Sequence, residues 1–143
     1  VQGLWDRAEP TGYSKYIREN LLPNTPAHEV VVQVSKADHQ VTNLGAHIMA
    51  RTIGGVVNLA PLIRDVWGFE VVEGEHTGSG MIEIDFGNPL LPITNIPHWA
   101  DTDPDPHGRA TELEGLGSVL RRFYDEGVVS NPCDGPCSQD DLL

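Results

Sequence analysis

The stretch that decides the fold is residues 28–41, HEVVVQVSKADHQV. Its β-branched run over residues 29–35 is typical of a strand buried on both faces, as in a parallel sheet. Asp38 follows this strand at its carboxyl end, where the sheet holds the position of the side chain. The stretch therefore predicts an α/β sheet that presents a carboxylate at the end of a buried strand.

Downstream of Asp38 the chain alternates between helical and strand patterns. Apolar residues recur at helical spacing and predict a helix over about residues 42–52 that ends at Gly54: Val41, Leu44, Ile48, Met49 and Ile53. Residues 69–73 and 81–86 predict two more strands. The alternation of apolar and acidic residues over 81–86 indicates a half-exposed edge strand, antiparallel to residues 69–73. These elements predict one domain over residues 1–143, with residues 128–143 as a tail.

His107 lies in a stiff turn directly ahead of the last helical pattern. Pro106 and Gly108 flank it and restrict the backbone on either side. Residues 111–114, TELE, have the pattern of a capping box, and the helix predicted after them has one apolar face. The sequence therefore predicts a histidine held in place by the start of a helix.

Asp38 and His107 follow one another in the chain order of the acid and the base of a Ser…Asp…His triad. Such a triad needs a histidine that a buried carboxylate holds in one tautomer, with its other ring nitrogen facing a serine. Taken singly, Asp38 is also typical of a turn and His107 of a loop; together they predict the acid and the base. No Gly-x-Ser-x-Gly occurs in these residues, so we expect the nucleophilic serine outside this chain.

The segments around these two residues resemble those of α/β-hydrolases. Residues 35–41, SKADHQV, are similar to the turn that carries the acid, and residues 105–107 to the histidine loop. More narrowly, residues 5–7, residues 95–97 and the closing cysteine pair resemble poorly characterised bacterial secreted α/β-hydrolases. The resemblance implies the C-terminal part of an α/β-hydrolase sheet, mainly parallel strands flanked by helices, completed by upstream sequence or a companion chain. It also implies hydrolysis of a carboxylic ester without a cofactor.

Other residues are candidates for the base and for the substrate pocket. His76 is the rival base, because it follows the strand pattern of residues 69–73, where a plain α/β-hydrolase has its histidine. Trp99 precedes His107 in the same long loop, and His39 adjoins Asp38, so both are candidate pocket residues.

The cysteines and the charge bear on location and partners. Cys133 and Cys137 flank a Gly-Pro turn that predicts a small disulfide, and such a bridge favours a secreted or periplasmic protein. The formal net charge of −12, with only nine Lys and Arg in no cluster, argues against a nucleic-acid partner. No apolar run approaches the roughly 20 residues that cross a bilayer.

Two interpretations of another class remain open. Asp101, Asp103 and Asp105 alternate in a way that could wrap calcium, although the segment lacks the glycine and the distal glutamate of an EF-hand loop, and we expect no metal. Alternatively, the chain is a non-catalytic acidic interaction domain. The missing serine is the feature that favours this alternative most.

Overall fold

A mostly parallel sheet, flanked by helices, forms the centre of the described chain. The computed structural model describes residues 2–5, 8–89 and 104–143. The helices are α1 Gln2–Trp5, α2 Pro10–Tyr13, α3 Asn43–Ile53 and α4 Glu114–Glu126. The strands are β1 Val31–Ser35, β2 Val57–Ala60, β3 Glu75–Thr77, β4 Gly80–Asp85, β5 Val128–Ser130 and β6 Cys137–Ser138. Short 3₁₀ helices cover Ser14–Tyr16, Arg109–Glu112 and Gln139–Asp141.

The main sheet has the order β1-β4-β2, and all its pairings are parallel. β1 pairs with β4 from Val31 opposite Gly80 to Ser35 opposite Ile84. β6 pairs with the carboxyl end of β4, whereas β3 and β5 form a separate antiparallel pair. The predicted α/β class with a mainly parallel sheet is therefore confirmed, and the carboxyl ends of β1 and β4 lie at the same edge of the sheet.

Each face of the sheet carries its own apolar core. Val32 and Val34 of β1 pack with Met81 of β4 against the inner side of α3. Ile82 and Ile84 of β4 belong to the opposite cluster, beneath α4. Successive residues of a strand point to opposite faces, so one strand serves both cores. Burial on both sides explains why valines stand at consecutive positions 30–32 rather than at every second position.

The strand predicted at residues 81–86 is present as β4, but its predicted place as a half-exposed, antiparallel edge strand was wrong. β4 is the central strand of the sheet, parallel to its neighbours, and its residues are buried except for the partly exposed Asp85. Glu83 is fully buried because His47 and two backbone N–H groups bond to it, and Asp85 pairs with Lys36 at 2.8 Å. Acidic residues at alternate positions imitated an exposed face, although each of them has a partner that the strand pattern does not reveal.

Three other expectations need correction. Residues 69–73 form no strand; Val71 makes an isolated bridge to Asn58. Helix α3 is present where predicted, with Thr42 as its N-cap, but Leu44 and Ile48 of the expected apolar face are exposed, at 56% and 47%. The capping box at residues 111–114 does not form, since no side chain caps α4 and Leu113 is its N-cap residue.

The tail is packed rather than loose. Its strand β5 pairs with β3, and the carbonyl of Leu142 accepts the N–H of Gly115 at 2.9 Å. Leu142 is 1% exposed within the core beneath α4. The sulfurs of Cys133 and Cys137 stand at bonding distance, 2.08 Å. No helix in the described ranges has the length and apolar character needed to cross a bilayer.

Candidate active site

A strained turn after β1 places Asp38 at the carboxyl ends of the strands. Ala37 has a φ of 61°, a left-handed conformation that residues with a Cβ rarely adopt. Asn43, at the start of α3, holds this turn: its Oδ1 accepts the N–H of Ala37 at 2.9 Å, and its Nδ2 donates to the carbonyl of Ser35 at 2.7 Å. Backbone strain of this kind persists where the surroundings enforce it, often at functional sites.

The carboxylate of Asp38 is largely buried and hydrogen-bonded. Its Oδ1 accepts the backbone N–H groups of Gln40 and Val41, each at 2.8 Å. Nδ1 of His107 lies 3.0 Å from Oδ2 and 3.2 Å from Oδ1 of the same carboxylate. The structure thus brings together the predicted acid and the predicted base, which are 69 residues apart in the chain.

The hydrogen bond to Asp38 defines how the ring of His107 can act. In neutral imidazole one nitrogen donates and the other accepts, and a carboxylate requires Nδ1 to be the donor. Nε2 is then left as an acceptor, and none of the described residues hydrogen-bonds to it. The side chain is 40% exposed, whereas that of Asp38 is 12% exposed. An oriented imidazole with an accessible basic nitrogen can take a proton from a hydroxyl group.

The loop that carries His107 is fixed from both sides. Pro106 is fully buried, and Nδ2 of Asn88, just after β4, donates to the carbonyl of Pro104 at 2.8 Å. The N–H of Arg109 bonds to the carbonyl of Pro106 at 3.1 Å, which begins the 3₁₀ helix Arg109–Glu112. The proline positions therefore give the rigid turn that the sequence predicts.

A cavity of about 320 Å³ opens beside the pair. Its lining comes from the end of β1, the turn after it, α3 and the histidine loop: Gln33, Val34, Ser35, Asp38, Val41, Ala46, His107, Gly108, Ala110 and Thr111. Most of this lining is apolar, and the volume lies at the lower end of the range of small-molecule sites. His39 is not among the lining residues, so its predicted pocket role stays a prediction.

His76 lies at the other end of the sheet from Asp38. It belongs to β3, opposite Val129 of β5, and precedes the amino end of β4. Ser79, beside that amino end, is fully buried and donates to the carboxylate of Glu29. Parallel pairing separates this end from Asp38 by the length of β1, roughly 16 Å for a five-residue strand. His76 is therefore not placed to share a site with Asp38.

Several predicted residues fall outside the described ranges. Trp99, Asp101 and Asp103 belong to residues 90–103, so their predicted roles remain predictions. Within the described ranges no cluster of three or more His, Cys, Asp or Glu side chains has the geometry of a metal site.

Sequence reasoning missed a second histidine–carboxylate pair. Nε2 of His47 lies 2.6 Å from Oε1 of Glu83, and both side chains are almost completely buried. Oε2 of Glu83 accepts the N–H groups of Leu62 and Ile63 at 2.6 and 3.0 Å. Burial raises the pKa of Glu83, but the hydrogen bonds from His47, Leu62 and Ile63 outweigh it and hold the pKa below its ordinary value. A polar residue facing the sheet from α3 was the available signal.

No family model, curated protein or solved structure matches this chain. The chemistry of the candidate site therefore rests on the geometry of its own residues.

Proposed function

We propose that this chain supplies the acid and the base of a serine hydrolase that cleaves carboxylic esters. The observation that carries the proposal is the bond between Nδ1 of His107 and the buried carboxylate of Asp38, at 3.0 Å, beside an apolar cavity. Asp38 orients the imidazole and stabilises its protonated form. His107 takes the proton of an incoming serine and later donates it to the leaving alkoxide. The serine and the oxyanion hole come from outside this chain.

One edge of β1 is not paired with any described strand, and this supports the proposal that a further segment joins the sheet there. The N–H of Gly80 bonds to the carbonyl of Val30, and the N–H of Lys36 to that of Ile84. In a parallel pair, only every second residue of a strand bonds to a given neighbour through its backbone. The backbone N–H and C=O groups of the even-numbered residues of β1 therefore point toward β4, and those of Val31, Gln33 and Ser35 point toward the opposite edge. No described strand pairs with that edge.

β1 also lacks the features by which natural edge strands avoid pairing with other chains. Both of its faces are covered, and residues 31–35 contain no proline and no charged side chain. These properties are typical of an interior strand of a larger sheet. The upstream sequence or companion chain that carries the serine is the occupant that the proposed function requires.

We therefore expect the chain alone to self-associate through β1. Light scattering after size-exclusion chromatography should give a mass that rises with concentration. Gln33→Pro should reduce this association without unfolding the chain, because it removes an N–H on the edge of β1 that no described strand pairs with. Val32→Pro, the matched control, removes a bond to β4 and should destabilise the fold. If the wild-type chain stays monomeric at every concentration, the proposal that a further strand pairs with β1 is contradicted, and the alternative of a non-catalytic interaction domain is favoured.

The test of the proposed function is labelling of native material by a fluorophosphonate, which reacts with activated serines. We expect His107→Ala to slow labelling and ester hydrolysis by about 10²–10⁴-fold, since the general base is lost. His76→Ala is the control and should leave both rates near normal, because His76 lies at the opposite end of the sheet. Normal labelling of His107→Ala, or no labelled species with the wild-type chain, overturns the proposal.

The cysteine pair supports a location. A bridge between Cys133 and Cys137 persists in an oxidising compartment, so we propose that the hydrolase acts outside the cytoplasm, secreted or periplasmic.

A further inference from the structure

We propose that Asp105 is the positioning residue that locks the two turns of the site together, which keeps the ring of His107 on Asp38. The inference rests on the proposed function for its catalytic meaning. Asp38 and His107 both lie on loops, and no strand pairing joins those loops. A catalytic pair tolerates only about 0.5 Å of misplacement. The bonds of Asn43 and Asn88 hold each loop to its own surroundings, so the register between the two loops depends on contacts that cross from one to the other.

Asp105 makes the contacts that do this. Its Oδ1 accepts the backbone N–H of His107 at 2.9 Å, within its own loop, and that of His39 at 3.2 Å, in the turn of Asp38. Its Oδ2 accepts Nε2 of Gln40 at 2.9 Å. Two of the three hydrogen bonds thus cross from the histidine loop to the acid turn.

The two aspartates act reciprocally. Asp38, in the acid turn, accepts a hydrogen bond from the ring of the histidine loop, and Asp105, in the histidine loop, accepts hydrogen bonds from the acid turn. Gln40 links both, because its N–H bonds to Asp38 and its side chain to Asp105. Rotation of either loop breaks bonds at both carboxylates, so the arrangement resists movement more than the Asp38–His107 bond does alone.

The charge of Asp105 suits this role. Burial raises the pKa of its carboxyl, but the hydrogen bonds from Gln40, His107 and His39 outweigh it and hold the pKa below the ordinary value. The group is therefore ionised at neutral pH, and hydrogen bonds to an ionised acceptor are stronger than those between neutral groups. It bonds to the backbone N–H of His107 and leaves the ring nitrogens to Asp38 and to substrate.

The experiment measures the ring of His107 directly, by ¹⁵N nuclear magnetic resonance of the whole chain. In the wild-type chain we expect the Nδ1–H tautomer and a ring proton protected from solvent. Asp105→Ala should mix the tautomers and speed exchange of the ring proton by about tenfold or more, because the Asp38 bond opens more often. Asp141→Asn is the matched control: Asp141 also accepts hydrogen bonds, from Ser138, and should leave the ring signature unchanged.

The outcomes separate the two proposals. A wild-type ring signature in folded Asp105→Ala overturns the positioning role, whatever the hydrolase test gives. If Asp105→Ala does not fold, Gln40→Ala is the second variant, because it removes one of the two bonds that cross between the loops. It should mix the tautomers of His107 and speed exchange of the ring proton, by less than Asp105→Ala would. Tautomers and exchange unchanged in Gln40→Ala then overturn the inference. The measurement needs no serine, so a failure of fluorophosphonate labelling does not alter its result. In the assembled enzyme, Asp105→Ala should lower kcat more than it changes KM.

Discussion

Replacing Asp38 with asparagine should reduce ester turnover by about 10⁴-fold in the assembled enzyme, with the fold intact. Asparagine has an NH₂ donor in place of one of the two acceptor oxygens of Asp38, and it carries no negative charge. The Nδ1–H tautomer then loses its preference, and the imidazolium formed during proton transfer loses its counter-ion. The side-chain oxygen of asparagine can still accept the N–H groups of Gln40 and Val41, which maintain the turn.

The measurement is kcat and kcat/KM of the assembled enzyme on a chromogenic ester, together with a thermal unfolding curve. Asp85→Asn is the matched control, because Asp85 also lies at the carboxyl edge of the sheet but pairs with Lys36. It should change turnover by a few-fold at most, because Asp85 bonds to Lys36 and to the N–H of Gly87 rather than to His107. Turnover of Asp38→Asn within tenfold of the wild type contradicts the assignment of the acid.

Two features of the chain explain why the sequence reveals the Asp38–His107 pair. A long β-branched run has few interpretations other than a buried strand, and the residue just after it must lie at the carboxyl edge of the sheet. Pro106 and Gly108 mark a turn through backbone restrictions that act locally. Both signals depend on neighbouring residues only. The contact between the two loops does not, because Asp105 and Gln40 are 65 residues apart and each looks like an ordinary loop residue.

The wrong placement of β4 at an edge has one physical cause. Glu83 on β4 and His47 on α3 are polar residues that pair with each other inside the fold, and the alternation over residues 81–86 assigned Glu83 to an exposed face. Counting Glu83 as exposed turns a central strand into an edge strand. Leu44 and Ile48 give the opposite error, because they are apolar residues that the helical spacing places on the buried face and the structure leaves exposed. Long-range partners decide these cases, and a single sequence does not display them.

The two histidine–carboxylate pairs differ in their exposure to solvent, and this difference is the ground for proposing chemistry at only one of them. Both join a ring nitrogen to a carboxylate at 3.0 Å or less. The His107 side chain is 40% exposed and lines a cavity, which leaves the ring open to a molecule in that cavity. The His47 side chain is 2% exposed, and its Nδ1 has no hydrogen-bond partner among the described residues. A pair closed to solvent cannot exchange protons with a substrate, so we expect His47 and Glu83 to stabilise the fold.

Glu83→Ala should lower the free energy of unfolding by about 3–5 kcal/mol at neutral pH. The substitution leaves the His47 ring buried without its carboxylate, and it leaves the N–H groups of Leu62 and Ile63 without an acceptor. Urea denaturation followed by circular dichroism measures the loss. Glu75→Gln is the control: it breaks an ion pair with Arg122 in which Glu75 is 61% exposed, and it should cost no more than about 1 kcal/mol.

The same carboxylate gives the loss a pH dependence of known sign. The pKa of Glu83 is lower in the folded chain than its ordinary value of 4.5, so the folded state favours the ionised form. Its contribution is therefore fully present well above pH 4.5 and is lost as the pH falls through the lowered, folded value. The gap in stability between the wild type and Glu83→Ala should shrink over that acidic range. Glu83→Gln, which keeps the shape, should lose this pH dependence with a smaller loss at neutral pH. A gap that is constant with pH means that Glu83 stabilises the fold by packing and not by charge.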